Sequence, residues 1–346
     1  MPAPRRTRTV RTIAVVGAIV IGAVLLGSCG SGSGDENTVH VYSGRHYDLE
    51  KAFADFTEQT GIKVEFQFGN DAELREKIEA EGEDTAADAY ITVDAGNLVA
   101  GAEQGIFQPV DSEILDDAIP PVLRDPENRW FGLAVRARSI VYNPNEVDPS
   151  ELSTYADLAD PKWDGRLCLR NSSGGYQQSL VAGLIGEHGE PEARRIVEGW
   201  LDNAELLEND VLVLDAVDAG RCDVGITNHY YLARKYDDDP DFAVKMFWAD
   251  QGPGESGVHV NISGGGVTRY ADRPELARRL IEWLATDGQA ALTHGNHEYP
   301  ANPDVLADEL VQERFGVDFT RSGLAAAEMG ALNPQAVALM NELGYR

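Results

Sequence analysis

Residues 38–43 of this sequence, TVHVYS, are rich in β-branched and aromatic side chains and end on a small residue, which is typical of a β-strand. Apolar side chains at helical spacing follow from Asp48 to Gln59, and Gly61 ends that helix. Residues 63–68, KVEFQF, alternate in polarity and predict a second strand. The folded part of the chain therefore begins with a strand, a helix and a strand, and this order decides its class.

The same alternation continues along the chain. A charged helix is predicted over Asp71–Glu81 and a third strand over Ala89–Val93. Strands that alternate with helices are typical of an α/β protein with a parallel sheet and crossover connections. Later segments repeat the pattern, with strands predicted at Gly132–Val135, Ser139–Tyr142, Leu167–Leu169, Asp223–Thr227 and Ser263–Val267, and helices at Tyr176–Ile185, Pro191–Leu201 and Pro274–Leu284.

Composition excludes several classes of protein. The chain has 346 residues, of which 43% are hydrophobic, so wholesale disorder is excluded and the length allows about two domains. It has 58 acidic and 29 basic residues, for a formal charge of −29. A generic nucleic-acid-binding protein needs a basic surface to neutralise phosphates, so that class is excluded as well.

Residues 1–28 have the features of a lipoprotein signal peptide and are left out of the fold. Four arginines precede the apolar run Ile13–Leu26, which is shorter than the roughly 20 residues of a membrane span. Gly27-Ser28-Cys29 resembles a bacterial lipobox, in which the cysteine is lipidated. An uncleaved anchor helix or an ordinary secretory signal is the alternative.

With cleavage before Cys29, residues 29–37 form a flexible Gly/Ser-rich tether between the lipid and the folded domain. We therefore expect an extracytoplasmic protein that is lipid-anchored to the cell membrane and contacts it only through that anchor. Such a compartment is oxidising, so Cys168 and Cys222 are a possible disulfide. Two separate buried thiols are an equally good interpretation of this pair.

Two α/β lobes on an exported chain favour a solute-binding protein with a ligand cleft between the lobes. Open α/β sheets bind ligands beyond the carboxyl ends of their strands, and three such ends carry aromatic candidates. The candidates are His46 and Tyr47 after the first strand, Tyr176 after the strand at 167–169, and Tyr230 and Tyr231 after the strand at 223–227.

Four tyrosines in one cleft indicate a ferric-iron site. A free phenol titrates near pH 10, so a cluster of phenolates needs a strong cation, and a bound cation deprotonates its ligands. Calcium would prefer clustered carboxylates, and Cu(I) or Zn would favour cysteine. A binding protein for an organic cation or an oxyanion is the alternative. An exported metalloenzyme is less favoured, because neither a His-Glu metal motif nor a G-x-S-x-G motif is present.

The chain resembles the ferric-iron-binding lipoproteins of ABC importers, which belong to the type II periplasmic-binding-protein class. The resemblance covers residues 38–303 and implies an α/β fold of two lobes with a hinge and an inter-lobe cleft. The segments that carry it, in order, are VHVYSGRHYD, ADAYITVDAGNL, RARSIVYNP, DPKWDGRLCLRNSSGGYQQSLV, GITNHYYLAR, NISGGGV and GNHEYP.

Carried over residue by residue, the resemblance implies a particular set of iron ligands. One branch of the family uses a glutamate at the end of the third strand, where this chain has Val93 followed by Asp94. The other, similar to cyanobacterial iron-uptake proteins, uses tyrosines instead, so a synergistic anion is possible but not required. The implied ligands of Fe(III) are His46, Tyr47, Tyr176, Tyr230 and Tyr231.

Several phenolates around one Fe(III) leave surplus negative charge, which a nearby guanidinium would offset. Arg138 is the first choice for this role, with Arg45, Arg136 and Asn228 also near the ligands. The implied N-lobe comprises residues 38–136 and 261–298, the C-lobe comprises 137–260 and 299–346, and the hinge lies near 136–138 and 261–265. The expected function is non-enzymatic, with the protein, as a monomer, handing Fe(III) to an ABC permease and its ATPase.

Overall fold

The structure, a computed structural model, describes residues 36–46 and 49–346. The predicted signal peptide, Cys29, the tether up to residue 35 and the candidate ligand Tyr47 therefore lie outside the described residues. Over the ranges that are described, no helix has both the length and the apolar character needed to cross a membrane.

The described residues form ten strands and thirteen α-helices. The strands are β1 Thr38–Ser43, β2 Lys63–Phe68, β3 Ala89–Thr92, β4 Phe131–Tyr142, β5 Leu167–Arg170, β6 Ala204–Leu207, β7 Val224–Asn228, β8 Lys245–Phe247, β9 Val260–Val267 and β10 Tyr299–Pro300. The helices are α1 Leu49–Thr60, α2 Asp71–Glu81, α3 Ala95–Glu103, α4 Glu113–Ala118, α5 Gly175–His188, α6 Glu190–Asn203, α7 Asp210–Asp218, α8 His229–Asp238, α9 Pro274–Ala285, α10 Gln289–Thr293, α11 Glu309–Arg314, α12 Ala326–Ala331 and α13 Asn333–Glu342.

The strands form one sheet in the order β2-β1-β3-β9-β4-β7-β5-β6, and β8 and β10 also pair with β4. We call β2, β1, β3 and β9 the first half-sheet and β7, β5 and β6 the second half-sheet. The pairs β1–β2 and β1–β3 are parallel, as are β5–β6 and β5–β7. The predicted α/β class with parallel strands and crossovers is confirmed.

Strand β4 joins the two half-sheets. Its residues up to Ala137 pair with β9, and its residues from Arg138 onward pair with β7. Two short strands separated by Arg136-Ala137-Arg138 were the expectation, so a single strand is a correction. The charges do not interrupt it because Arg136 and Arg138 are 2% and 1% exposed and each has a buried carboxylate within 4.0 Å. The change of partner falls where the hinge is predicted.

Strand β9 packs so closely against its neighbours that three successive residues, 264–266, must be glycine. A Cβ atom at any of them would lie closer than 3.0 Å to a main-chain carbonyl oxygen, which real structures essentially never show. The oxygens belong to Phe131 for Gly264, Tyr90 for Gly265 and Arg129 for Gly266. Glycine therefore lets β3, β9 and the chain around β4 approach each other at the centre of the sheet.

Two further contacts tie the sheet to the rest of the chain. Cys168 of β5 and Cys222, two residues before β7, form a disulfide with a Cα–Cα distance of 5.8 Å. Helix α12 packs against both α3 and α5, which follow strands of different half-sheets. The predicted C-lobe segment 299–346 therefore contacts helices that follow strands of both half-sheets. The exact lobe boundaries stay a prediction.

Candidate metal centre

Three of the predicted iron ligands lie together where two strands of the second half-sheet end. Tyr176 is in the first turn of α5, and Tyr230 and Tyr231 are in the first turn of α8. The rings of Tyr230 and Tyr231 have centroids 4.3 Å apart, and the rings of Tyr176 and Tyr231 are 6.5 Å apart. Because β5 and β7 are parallel neighbours, the helices that follow them begin side by side, and this brings the three phenols together.

The most buried of these phenols is Tyr230, whose side chain is 0% exposed. Its hydroxyl makes no hydrogen bond of ordinary geometry to the described residues. Burial raises the pKa of Tyr230 well above its usual value, and the neighbouring Tyr176 and Tyr231 raise it further. The phenol is therefore neutral at physiological pH in the absence of a cation, and its oxygen is a buried donor and acceptor without a hydrogen-bond partner among the described residues.

The helix positions of the three tyrosines favour negative charge on their oxygens. The first turn of a helix presents backbone N–H groups without intrahelical partners and carries about half a positive elementary charge. Tyr176, Tyr230 and Tyr231 all lie in such turns. The helices α5 and α8 therefore lower the free energy of the phenolate forms, although burial still keeps Tyr230 protonated when no cation is bound.

Arg136, in the middle of β4, is a buried guanidinium that faces one of these tyrosines. Its guanidinium lies 5.3 Å from the centre of the Tyr176 ring and donates to the carbonyl of Ile262 at 2.7 Å. Burial alone would lower the pKa of Arg136, but Tyr176, Glu298 and Tyr230 together hold it above its usual value. A permanent positive charge therefore lies beside the phenol cluster.

Arg138, the first choice from the sequence for charge compensation, lies deeper. Its guanidinium contacts Asp210 at 2.5 Å and Gln177 at 2.9 Å. Asp210 is fully buried and also contacts Arg170 at 2.8 Å, while it accepts from the main-chain N–H of Asn228 at 3.2 Å. The charge of Arg138 is thus balanced by Asp210. The pair holds the end of β7, and Tyr230 and Tyr231 follow just after that strand end.

Arg170 connects this buried network to the cleft. Its guanidinium lies 5.3 Å from the centre of the Tyr176 ring. The loop that follows it can lie against the guanidinium because Gly174 has no side chain, and a Cβ there would come closer than 3.0 Å to Arg170. Asn171 accepts hydrogen bonds from the N–H and hydroxyl of Ser173, at 3.2 and 2.6 Å, and so shapes the same loop.

The first half-sheet contributes carboxylates to the same cleft. Asp71, Asp94, Arg75, Arg170 and Tyr176 all line a cavity of about 620 Å³. Asp94 accepts from Gly96 N–H and from the Asn261 amide, both at 2.7 Å. Burial raises the pKa of both Asp71 and Asp94.

One buried carboxylate near the site was missed by reasoning from the sequence. Glu298 is 1% exposed and forms an ion pair with Arg45, and its other oxygen lies 4.0 Å from Arg136. Arg45 also donates to Ser263 at 3.1 Å. The motif GNHEYP was part of the family resemblance and contains Glu298, so the motif was the available signal, but it did not indicate a partner.

The histidines near the cleft differ in their surroundings. His46 is exposed in the loop after β1, and its neighbour Tyr47 lies outside the described residues. His229 is fully buried, and its ring lies 4.7 Å from that of Tyr299. Burial lowers the pKa of His229 to about 4, so it packs as a neutral ring, with its centroid 6.1 Å from that of Tyr230.

Other kinds of metal site are weakly represented in the described part of the chain. The ligand atoms of three His, Cys, Asp or Glu residues come within 4.8 Å of one another only at Cys168, Glu205 and Cys222, where the cysteines are joined in a disulfide. The phenols of Tyr176, Tyr230 and Tyr231 therefore lie beside the Arg136 guanidinium, and the carboxylates of Asp71 and Asp94 line the same cavity as Tyr176. This donor set suits a hard, highly charged cation.

Comparison with known proteins adds an independent observation. Residues 92–317 match a family described as bacterial extracellular solute-binding protein. Iron uptake protein A1 of Synechocystis is 40% identical over 322 residues, which cover 90% of this chain and 89% of that protein. The Fe(3+)-binding periplasmic protein of Serratia marcescens is 30% identical over 319 residues, covering 90% of this chain and 91% of that protein.

Solved structures give the same result for the fold. The Trichodesmium protein IdiA, or FutA, in complex with iron and citrate ligands has a TM-score of 0.84 and 40% identity, covering 89% of this chain and 100% of that chain. Apo FutA2 from Synechocystis has a TM-score of 0.83 and 37% identity, covering 90% of this chain and 99% of that chain. These similarities include both half-sheets and the cleft where the tyrosines meet.

Proposed function

Because the chain belongs to the bacterial extracellular solute-binding protein family, we propose that it captures Fe(III) outside the cytoplasm and presents it to the permease of an ABC importer. The family and its relatives are solute-binding proteins rather than enzymes, so the task is reversible binding without catalysis. The observation that carries the choice of iron is the convergence of Tyr176, Tyr230 and Tyr231 at two adjacent helix N-termini.

The cation binds in place of the phenol protons. Tyr230, whose pKa is raised by burial, gives up its proton only when the charge of Fe(III) replaces it. Tyr176 and Tyr231 bind the same ion, and His46 and Tyr47 complete the ligand set from the first half-sheet. Arg136 offsets the surplus negative charge of several phenolates from its position beside the Tyr176 ring.

Binding from two half-sheets explains how the ion is enclosed. The second half-sheet binds Fe(III) first through its three tyrosines, and the first half-sheet then adds the loop after β1. The two move about the hinge at residues 136–138 and 261–265, near the point where β4 changes partners. The closed form is the one that the permease receives.

The cleft also has room for a small anion beside the iron. Arg170 and Arg75 line the same cavity of about 620 Å³ as Tyr176, and Gly174 exposes backbone at the start of α5. The related Trichodesmium protein has been solved with iron and citrate ligands. A carboxylate anion is accordingly a co-ligand that this cleft accommodates but does not require.

The same proposal includes where the protein acts in the cell and with which partners. Cys29 carries a lipid, residues 29–37 tether the domain, and the protein acts as a monomer that delivers iron to a permease driven by its ATPase. Replacement of Cys29 by serine tests the anchor, since the protein is expected to move from the membrane fraction to the soluble fraction. An unchanged distribution would contradict the anchor but not iron binding.

The main test is to add ferric citrate to the purified protein and record the visible spectrum. Charge transfer from phenolate to Fe(III) absorbs visible light, so we expect an orange to red protein that saturates at one iron per chain. Tyr270→Phe is the control, because Tyr270 is 39% exposed and does not line the cleft. A protein that binds one ferric ion without colour would contradict the tyrosine site, and one that binds no iron would contradict the function.

A further inference from the structure

A second concave site lies away from the iron cleft, at the place where the chain crosses between the half-sheets. It is a groove of about 390 Å³, within the size range of small-molecule sites. Val260 of β9 and Tyr299-Pro300 of β10 line it, and both strands pair with the middle of β4. Leu123, from the segment before β4, and Ser322, near the end of the chain, line other parts of it.

The groove is apolar and open to solvent. Three of its lining side chains remain substantially exposed, namely Leu306 at 68%, Val317 at 46% and Val122 at 43%. Proline, alanine, leucine and valine form most of the remaining lining. An apolar surface that is left uncovered in this way is a candidate for binding an apolar group.

Arg321 is the charged residue among those that line the groove. Its guanidinium lies 5.1 Å from the centre of the Tyr299 ring and 5.5 Å from that of Phe319. Among the described residues it has no carboxylate or hydrogen-bond partner, whereas the buried Arg45 and Arg138 each pair with a carboxylate. Burial lowers the pKa of Arg321, because no nearby carboxylate compensates for the lost water.

The other polar groups that line the groove are already engaged. The amide of Asn302 donates to Ala285 at 3.0 Å, and its N–H donates to the Gln289 side chain at 2.7 Å. The hydroxyl of Ser322 donates to Glu187. The guanidinium of Arg321 is therefore the polar group of the groove that is available to a ligand, at the edge of an apolar surface.

We propose that this groove binds an amphipathic monocarboxylate, with the carboxylate on Arg321 and the apolar body along Val122, Leu306 and Val317. The charge complementarity argues for this occupant, because a half-buried guanidinium without a carboxylate partner is matched by one negative charge on an apolar ligand. Residues from the segment before β4, from β10 and from near the end of the chain line the groove. A bound ligand would therefore contact all three segments close to the predicted hinge.

The test is isothermal titration of the purified iron-free protein with octanoate, with octanamide as the uncharged probe of the same length. We expect one octanoate per chain and weaker binding of octanamide. Arg321→Gln is expected to weaken octanoate binding by about tenfold or more and to leave octanamide unchanged, since only the charge-assisted contact is lost. Circular dichroism checks that this variant is folded.

A second variant keeps the test decisive if Arg321→Gln fails to fold. Leu306→Asp changes a side chain that is 68% exposed, so folding is preserved while a negative charge is placed at the rim of the groove. Octanoate should then bind more weakly than to the parent. Equal binding of octanoate to the parent and the variants, or no binding at millimolar octanoate, would overturn the proposal. A dimer in sedimentation that Leu306→Asp dissociates would also overturn it, since a second copy would then occupy the groove.

Discussion

The two half-sheets face one cleft but bring different chemistry to it. The second half-sheet brings Tyr176, Tyr230 and Tyr231, each in the first turn of a helix. The first half-sheet brings Asp71 and Asp94, which already hold hydrogen bonds from Thr92 at 2.5 Å and from Asn261 at 2.7 Å. The second half-sheet is therefore organised to bind a cation. The carboxylates of the first half-sheet instead hold the loops of that half-sheet in place.

Protonation makes this contrast sharper. Burial raises the pKa of Asp71 and Asp94 and also that of Tyr230. For the aspartates, hydrogen bonds within the protein partly offset the rise in pKa that burial causes. Their oxygens therefore have hydrogen-bond partners without a bound ligand. For Tyr230 no hydrogen bond offsets burial, and the charge of Arg136, which lowers its pKa, does not compensate for it.

The largest expected effect is that of pH on iron affinity. Phenols titrate near or above pH 10, so each phenolate ligand releases one proton when iron binds, and acid reverses the binding. Release of one proton by each of Tyr176, Tyr230 and Tyr231 predicts that affinity falls at least about 1,000-fold per pH unit, or about a million-fold from pH 7.5 to 5.5. Competition with a chelator, corrected for its own protonation, measures this slope. A flat profile would indicate that ionised carboxylates of the first half-sheet hold the metal.

The next largest effect is expected for removal of a single phenol oxygen. Tyr230→Phe or Tyr231→Phe keeps the ring packing but removes an anionic ligand. We expect iron affinity to fall by more than about 100-fold. This exceeds the roughly 10–100-fold loss that follows when a residue that hydrogen-bonds to a metal ligand, without touching the metal, is removed. Asp94→Asn is the matched variant in the first half-sheet and should cost less than about tenfold. If Asp94→Asn weakens iron binding as much as the tyrosine variants, the contrast between the half-sheets fails.

An intermediate effect is expected for Arg136, which lies where the half-sheets meet. Arg136→Gln removes the charge that compensates for the phenolates, so iron affinity should fall by about 10–100-fold. Arg136→Lys keeps the charge and should recover part of that loss. The charge-transfer band reports on the ligands themselves, and it should shift in Arg136→Gln. If the Arg136→Gln and Arg136→Lys variants bind iron with the same affinity, Arg136 contributes through packing rather than through its charge.

The smallest effect is expected for His46, the candidate ligand from the first half-sheet that is exposed. His46→Ala should weaken binding by less than about tenfold, because the phenolates supply the negative charge that Fe(III) requires. The same chelator competition measures this loss, and the colour should persist. An effect as large as that of Tyr231→Phe would mean that the first half-sheet shares equally in capture.

Local elements were predictable from the sequence where local patterns determine them. The expected bounds of β1, β2 and α2 agree with the structure at both ends, because alternation and helical spacing are properties of neighbouring residues. The convergence of Tyr176, Tyr230 and Tyr231 follows from the rule that parallel strands end at one edge. Their roles as ligands stay a prediction.

Long-range ion pairs were not predictable in the same way. Arg138 meets Asp210 across 72 residues of sequence, and Arg45 meets Glu298, with nothing in either local pattern that names the partner. This is why Arg138 was placed beside the ligands from the sequence, while the structure places Arg136 there. It is also why β4 was expected as two strands.

The glycine run of β9 has a consequence for the gene that encodes this chain. Every amino acid other than glycine carries a Cβ, so any missense change at codons 264, 265 or 266 places an atom against a main-chain oxygen that cannot move aside. Variation at these three codons should therefore be limited to synonymous changes among functional alleles. Strand β9, which lies between β3 and β4 in the sheet, should therefore keep these three glycines in every functional allele.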